Sequence, residues 1–153
     1  MPIQILQLES TTSDGVELKS YVCLPESASH DNPAPAILVA PEWWGAAAHP
    51  QKVTERLAEA GFAAVAMDVY GEGKLTTDAA QANEWMSQML ADQDMLMARC
   101  KLIMDDFTDL EAVDTNRLGA IGFCFGGKIA LDMAREGFPL KAVATFHGNP
   151  TPK

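Results

Sequence analysis

The chain has 153 residues, 48% hydrophobic and 21% charged, which suits one domain with a sizeable buried core. Its formal net charge of −10 argues against nucleic acid, whose phosphates require a basic face, and against an anionic membrane surface. Met1-Pro2-Ile3-Gln4 opens without a basic, apolar leader, no run reaches the length of a membrane span, and three scattered cysteines read as reduced cytoplasmic thiols.

Ile3 to Leu8 alternates apolar and polar residues, as a half-buried strand does. Ser13-Asp14-Gly15 is a turn signal, and Val16 to Leu24 reads as a second strand closing a hairpin. A polar loop from Pro25 to Pro35 comes next. Ala36 to Ala40 is a continuous apolar run, the mark of a strand covered on both faces, and Pro41-Glu42-Trp43-Trp44-Gly45 ends it. Residues 49–60 predict a helix, with Pro50 in its first turn and Gly61 as its stop. Phe62 to Met67 predicts a buried strand closed by Asp68, and Gly71-Glu72-Gly73 a loop. A broken helical region is expected from Thr77 to Ala112, its methionines serving as core filler. Arg117 to Ile121 predicts a strand, Phe125 to Glu136 a helix stopped by Gly137, and Leu140 to Phe146 a last strand.

Two strands followed by strand–helix units specify a three-layer α/β/α sandwich on a mostly parallel sheet, in a single domain. Ligands of such sheets bind at the carboxyl ends of the strands. Glu42, Asp68, Cys124 and His147 all fall there although they are scattered in sequence. No Cys-x-x-Cys or His-x-x-x-His pair suggests a metal, no cofactor is implied, and the glycines at 119, 122, 126 and 127 do not fit Gly-x-Gly-x-x-Gly.

The most informative segment is Leu118-Gly119-Ala120-Ile121-Gly122-Phe123-Cys124-Phe125-Gly126-Gly127. An apolar strand runs into Gly-x-Cys-x-Gly and a helix starts at once. This is the nucleophile-elbow pattern with Cys in the place of Ser. It lifts the thiol out of the sheet to a helix N-terminus, where the dipole favours thiolate. Cys23, within a strand, and Cys100, within a helix, read as packing residues.

Gly-Phe-Cys-Phe-Gly-Gly at 122–127 closely resembles the signature of the dienelactone hydrolase family, a Cys-nucleophile branch of the α/β-hydrolases. The resemblance extends through Pro41 to Gly45, Arg56 to Phe62, and Asp68-Val69-Tyr70-Gly71, in register over essentially the whole chain. It implies a Cys-His-Asp triad hydrolysing small esters or lactones. Cys124 matches the nucleophile. Glu42 matches a glutamate that contacts the resting thiol and helps expose the thiolate. The backbone N–H groups of Phe125 and Trp43 match the oxyanion hole. In the family's chain order the triad Asp and His both come after the nucleophile. Here they would lie beyond Lys153, so the sequence reads as the N-terminal part of such a protein, ending after the sixth strand.

Other residues have competing readings. Glu42 is a functional carboxylate or a solvated loop group. Trp44 and Phe123 are candidate substrate contacts, although the tryptophans also suit a cover over the core. His147 is a candidate substitute base, or a structural or substrate-facing group. His30 and His49 read as solvent groups, and Asp68 as a loop anchor rather than a chemical group. Beside the hydrolase stands a reading from another class: an inactive truncated module whose last strand, left as an apolar edge, pairs with a second copy as a homodimer.

Overall fold

The computed structural model describes residues 2–146, so His147 lies outside the described residues. Strand β1 (Ile3–Thr11) and strand β2 (Glu17–Pro25) form an antiparallel hairpin, registered from Ile3 opposite Pro25 to Thr11 opposite Glu17. The remaining elements in chain order are strand β3 (Ala34–Ala40), helix α1 (Ala48–Glu59), strand β4 (Ala63–Ala66), helices α2 (Ala79–Ala91) and α3 (Gln93–Thr108), strand β5 (Val113–Phe123), helix α4 (Phe125–Arg135) and strand β6 (Ala142–Phe146). The six strands form one sheet in the order β1-β2-β4-β3-β5-β6. β4, β3, β5 and β6 are mutually parallel, while β2 joins β4 antiparallel. The sheet is therefore mixed and mostly parallel, as expected.

The continuous apolar runs behave as two-sided strands. All four residues of β4 are buried, as are Leu38, Val39 and Ala40 of β3. On one face Leu18, Val22, Leu38 and Val65 join a core with Leu96, Ile103 and Phe107 of α3 and Ile129 and Met133 of α4. On the other, Cys23 meets α1, its Sγ 3.8 Å from Thr54 Oγ1. Each buried Leu, Ile or Phe side chain contributes roughly 1.5–3 kcal/mol by leaving water. Met97 and Met104 lie in this core, where an unbranched side chain fills irregular gaps.

Both helix-stopping glycines close Schellman motifs. Gly61 (φ +103°) donates to Ala58 and Phe62 to Leu57, while Gly137 (φ +85°) donates to Ala134 and Phe138 to Met133. The long helical region breaks at Asp92. Its side chain accepts from the Met95 N–H, so one residue ends α2 and N-caps α3. β5 starts four residues ahead of the expected Arg117, at Val113. The register jumps from Ala34–Val113 to Ala36–Leu118, so the polar stretch between is an irregularity in the strand. No described helix is long and apolar enough to cross a membrane.

Candidate active site

Of the expected site residues, the sheet places Glu42, Asp68 and Cys124 after the carboxyl ends of β3, β4 and β5. β3 and β5 are adjacent and parallel, with Ala40 opposite Gly122. Two residues beyond that pair stand Glu42, past the end of β3, and Cys124, past the end of β5. Cys124 is exposed and has φ +54° and ψ −118°, a left-handed backbone costly for any residue with a Cβ. It occupies the N-cap of α4, its N–H bonded to the Phe146 carbonyl at 3.0 Å and its own carbonyl accepting from Gly127 at 2.9 Å. This is the sharp strand–turn–helix of an elbow.

The flanking glycines are required by crowding. A Cβ on Gly122 would lie 2.0 Å from the Gly126 carbonyl oxygen. One on Gly126 would lie 2.6 Å from the carbonyl oxygens of both Ala40 and Pro41. The first turn of α4 thus presses directly on the end of β3, which draws the Glu42-Trp43 loop to the elbow.

That loop is held from several sides. Gly45 donates to the Glu42 carbonyl at 3.1 Å, and Thr76 to the Trp44 carbonyl at 3.2 Å. The Tyr70 hydroxyl donates to the Trp43 carbonyl at 2.7 Å, and its ring stacks 6.3 Å from Phe125 and lies tilted 5.4 Å from Trp85. Tyr70 therefore ties together the two residues expected to offer oxyanion donors; burial pushes its phenol pKa up. The Phe125 N–H opens α4 and has no intrahelical acceptor. The Trp43 N–H has no hydrogen-bond partner among the described residues. Both remain available as donors.

Asp68, buried at the end of β4, accepts from the N–H groups of Lys19 (2.8 Å), Gly71 (2.9 Å) and Gly73 (2.8 Å). Arg99 of α3, also buried, donates to the Val69 and Tyr70 carbonyls at 2.8 and 2.9 Å. The geometry of Asp68 is that of a loop anchor, as its sequence position suggests. Arg99 carries no sequence signal for this role, because a lone Arg in a helix looks like a surface residue.

Glu42 departs from expectation. Its Oε1 lies 2.7 Å from Nδ1 of His49, in the first turn of α1, and the described residues include no hydrogen bond between Glu42 and the Cys124 thiol. His49 is thus not simply a solvent group: half exposed, it also packs edge-on against Phe123 at 4.8 Å. Phe123 in turn stacks on Phe146 at 5.0 Å, and Trp44 meets Trp43 at 5.2 Å. The sequence offered only a His seven residues after Glu42; the turn at 42–45 brings the two together. His30 remains in a loop beside Asp31. No cluster of three or more metal-ligating side chains occurs among the described residues.

Cys23 and Cys100 are fully buried, as packing residues should be. Burial raises the Cys23 pKa, and burial with the nearby Asp132 charge pushes Cys100 up to about 12. Both therefore stay protonated and shielded where Cys124 is open to solvent.

Comparison with known proteins agrees with this architecture. Residues 18–153 match the model of the dienelactone hydrolase family. A protein of Yersinia pestis named "Putative carboxymethylenebutenolidase" is 31% identical over 140 residues, covering 89% of this chain and 51% of its own length. The crystal structure of a dienelactone hydrolase-like promiscuous phosphotriesterase from metagenomic libraries superposes with a TM-score of 0.90 at 31% identity, covering 100% of this chain and 62% of that one. A structure described as a putative dienelactone hydrolase of Klebsiella pneumoniae gives 0.78 at 26% identity, over 94% of this chain and 59% of the other. The chain spans about half the length of the curated relatives from Yersinia pestis and Escherichia coli, 51% and 52%. With the elbow, the glutamate loop and the sheet order in place, the chain belongs to the dienelactone hydrolase family.

Proposed function

We propose that this chain carries the nucleophile half of a carboxylic ester or lactone hydrolase. The observation that carries the reading is Cys124 itself: exposed, at φ +54°, on the N-cap of α4. The thiolate attacks the carbonyl carbon of a small ester or lactone. The developing oxyanion accepts hydrogen bonds from the Phe125 and Trp43 N–H groups. Collapse breaks the acyl C–O bond, and the alkoxide takes up a proton and leaves a thioester on Cys124. Water then hydrolyses the thioester, a step that needs a general base. By the family's chain order the triad Asp and His lie beyond residue 153, with His147 as a substitute base if it reaches the thiol. Trp44 and Phe123 would contact the substrate, no cofactor takes part, and free thiols suit a reducing cytoplasm.

Thiol counting tests the nucleophile. A disulfide reagent such as Ellman's should titrate one fast thiol in the folded chain and three after denaturation. The count should stay at one up to about pH 8.5, because the buried thiols have raised pKa values. Peptide mapping should place the label on Cys124. Three thiols reacting at equal rates in the folded chain would overturn the reading.

A second reading is favoured by β6. Among the described residues it pairs with β5 along one side only, four of its five residues are exposed, Phe146 at its end by 43%, and Leu131 of α4 is 40% exposed. We infer that this edge supports self-association of the chain as given. Light scattering should then find dimers whose fraction rises with concentration; a monomer throughout would remove this reading.

A further inference from the structure

We propose that His49 is a positioning residue that holds the Glu42 carboxylate off the Cys124 thiol and so keeps the thiolate available. The inference rests on the reading of Cys124 as nucleophile.

Three observations carry it. First, β3 and β5 pair as far as Ala40 and Gly122, and the first turn of α4 packs through Gly126 on the Ala40 and Pro41 carbonyls, the residues just before Glu42. The carboxylate therefore sits on the loop packed against the elbow that carries the thiol. Second, the carboxylate is turned to His49, with Oε1 and Nδ1 2.7 Å apart. An ionised carboxylate only accepts, so Nδ1 carries the proton and donates it to Glu42. Third, the imidazole is not free to follow the carboxylate. It packs edge-on against Phe123, at an interplanar angle of 75°, and Phe123 is stacked on Phe146 in the neighbouring strand. The ring is braced on the residue preceding the nucleophile.

The physical consequence concerns charge. A carboxylate beside a thiol disfavours the thiolate, by like-charge repulsion and by accepting the S–H proton in a hydrogen bond. Glu42 has two possible resting points, the thiol and the imidazole, and the second is the one occupied. The Glu42 side chain is 22% exposed, so water alone solvates it poorly. Without His49 the carboxylate would lose this donor and, as proposed, turn to the Cys124 thiol.

The test is the second-order rate of Cys124 alkylation by iodoacetamide near neutral pH, read by intact mass and peptide mapping. It needs no completed triad and no turnover. H49A should slow Cys124 about tenfold. In the E42Q background no carboxylate remains to approach the thiol, and H49A should then produce no further change. H49N, whose amide N–H can take the place of Nδ1–H, should recover most of the rate. Cys23 and Cys100 serve as internal reporters, since they stay unlabelled as long as each variant is folded. An H49A rate within twofold of the parent, or the same loss with and without Glu42, overturns the inference alone. A parent Cys124 that reacts no faster than in the urea-unfolded chain overturns the nucleophile reading as well.

Discussion

Cys124→Ala is expected to abolish the rapid first phase of hydrolysis of an activated aryl ester. In the parent chain, mixing with p-nitrophenyl acetate should release a burst of nitrophenolate equal to the fraction of reactive thiol. On the proposed reading, acylation needs only the Cys124 thiolate and the Phe125 and Trp43 N–H donors, while the aryl ester brings a good leaving group. C124A should lower the initial rate by about 10³-fold, corresponding to about 4 kcal/mol of transition-state stabilisation. The slower phase after the burst reports on deacylation. A burst without turnover means that the thioester waits for a base, whereas sustained turnover means that a group such as His147 or a second chain supplies one. A burst of equal amplitude in C124A would remove Cys124 from the mechanism.

Gly122→Ala should be the most damaging single methyl group. The new Cβ would sit 2.0 Å from the Gly126 oxygen, 2.2 Å from its carbonyl carbon and 2.6 Å from the Gly127 nitrogen. All three are backbone atoms, so no side chain can swing aside. Relief requires β5 and α4 to separate, but α4 is already pressed on the Ala40 and Pro41 carbonyls through Gly126. Overpacking of this kind costs about 3 kcal/mol, which lowers Tm by about 9 °C in a chain of this size. The elbow should open at the same time, so Cys124 should lose its alkylation advantage over a free cysteine. Gly15→Ala is the control: nothing lies within 4 Å of its Cβ, and only the φ of +89° is penalised, by about 1 kcal/mol. Thermal melts of the two variants separate crowding from backbone strain. Equal Tm losses would refute the crowding argument.

The parts of this structure written most plainly in the sequence are those that depend on near neighbours. The apolar run at 36–40 can only be a two-sided strand, and Gly61 and Gly137 mark helix ends because Schellman motifs close over a few residues. The elbow is legible for the same reason: strand, Gly-x-Cys-x-Gly and helix are contiguous, and their sterics are local. The sequence signals a break in the helical region but not its position, since an Asp in a helical stretch becomes a cap only once both helices have packed. It does not signal the early start of β5, because residues 114–117 are polar and belong to an irregular pairing that only β3 defines.

The sequence by itself determined the fold class, the order of its units and the identity of the candidate nucleophile, because periodicity, turn chemistry and the elbow are encoded within short windows. The tertiary structure decided which groups meet at the nucleophile. Tyr70 reaches Trp43 across 27 residues and stacks on Phe125, and Arg99 caps the loop after β4 from a separate helix. Glu42 faces His49 rather than the thiol because the turn at 42–45 carries α1 back over the end of β3 and Phe123 braces the ring there. Such partners are chosen by the distances and competing donors of the folded state, which no local pattern of residues records.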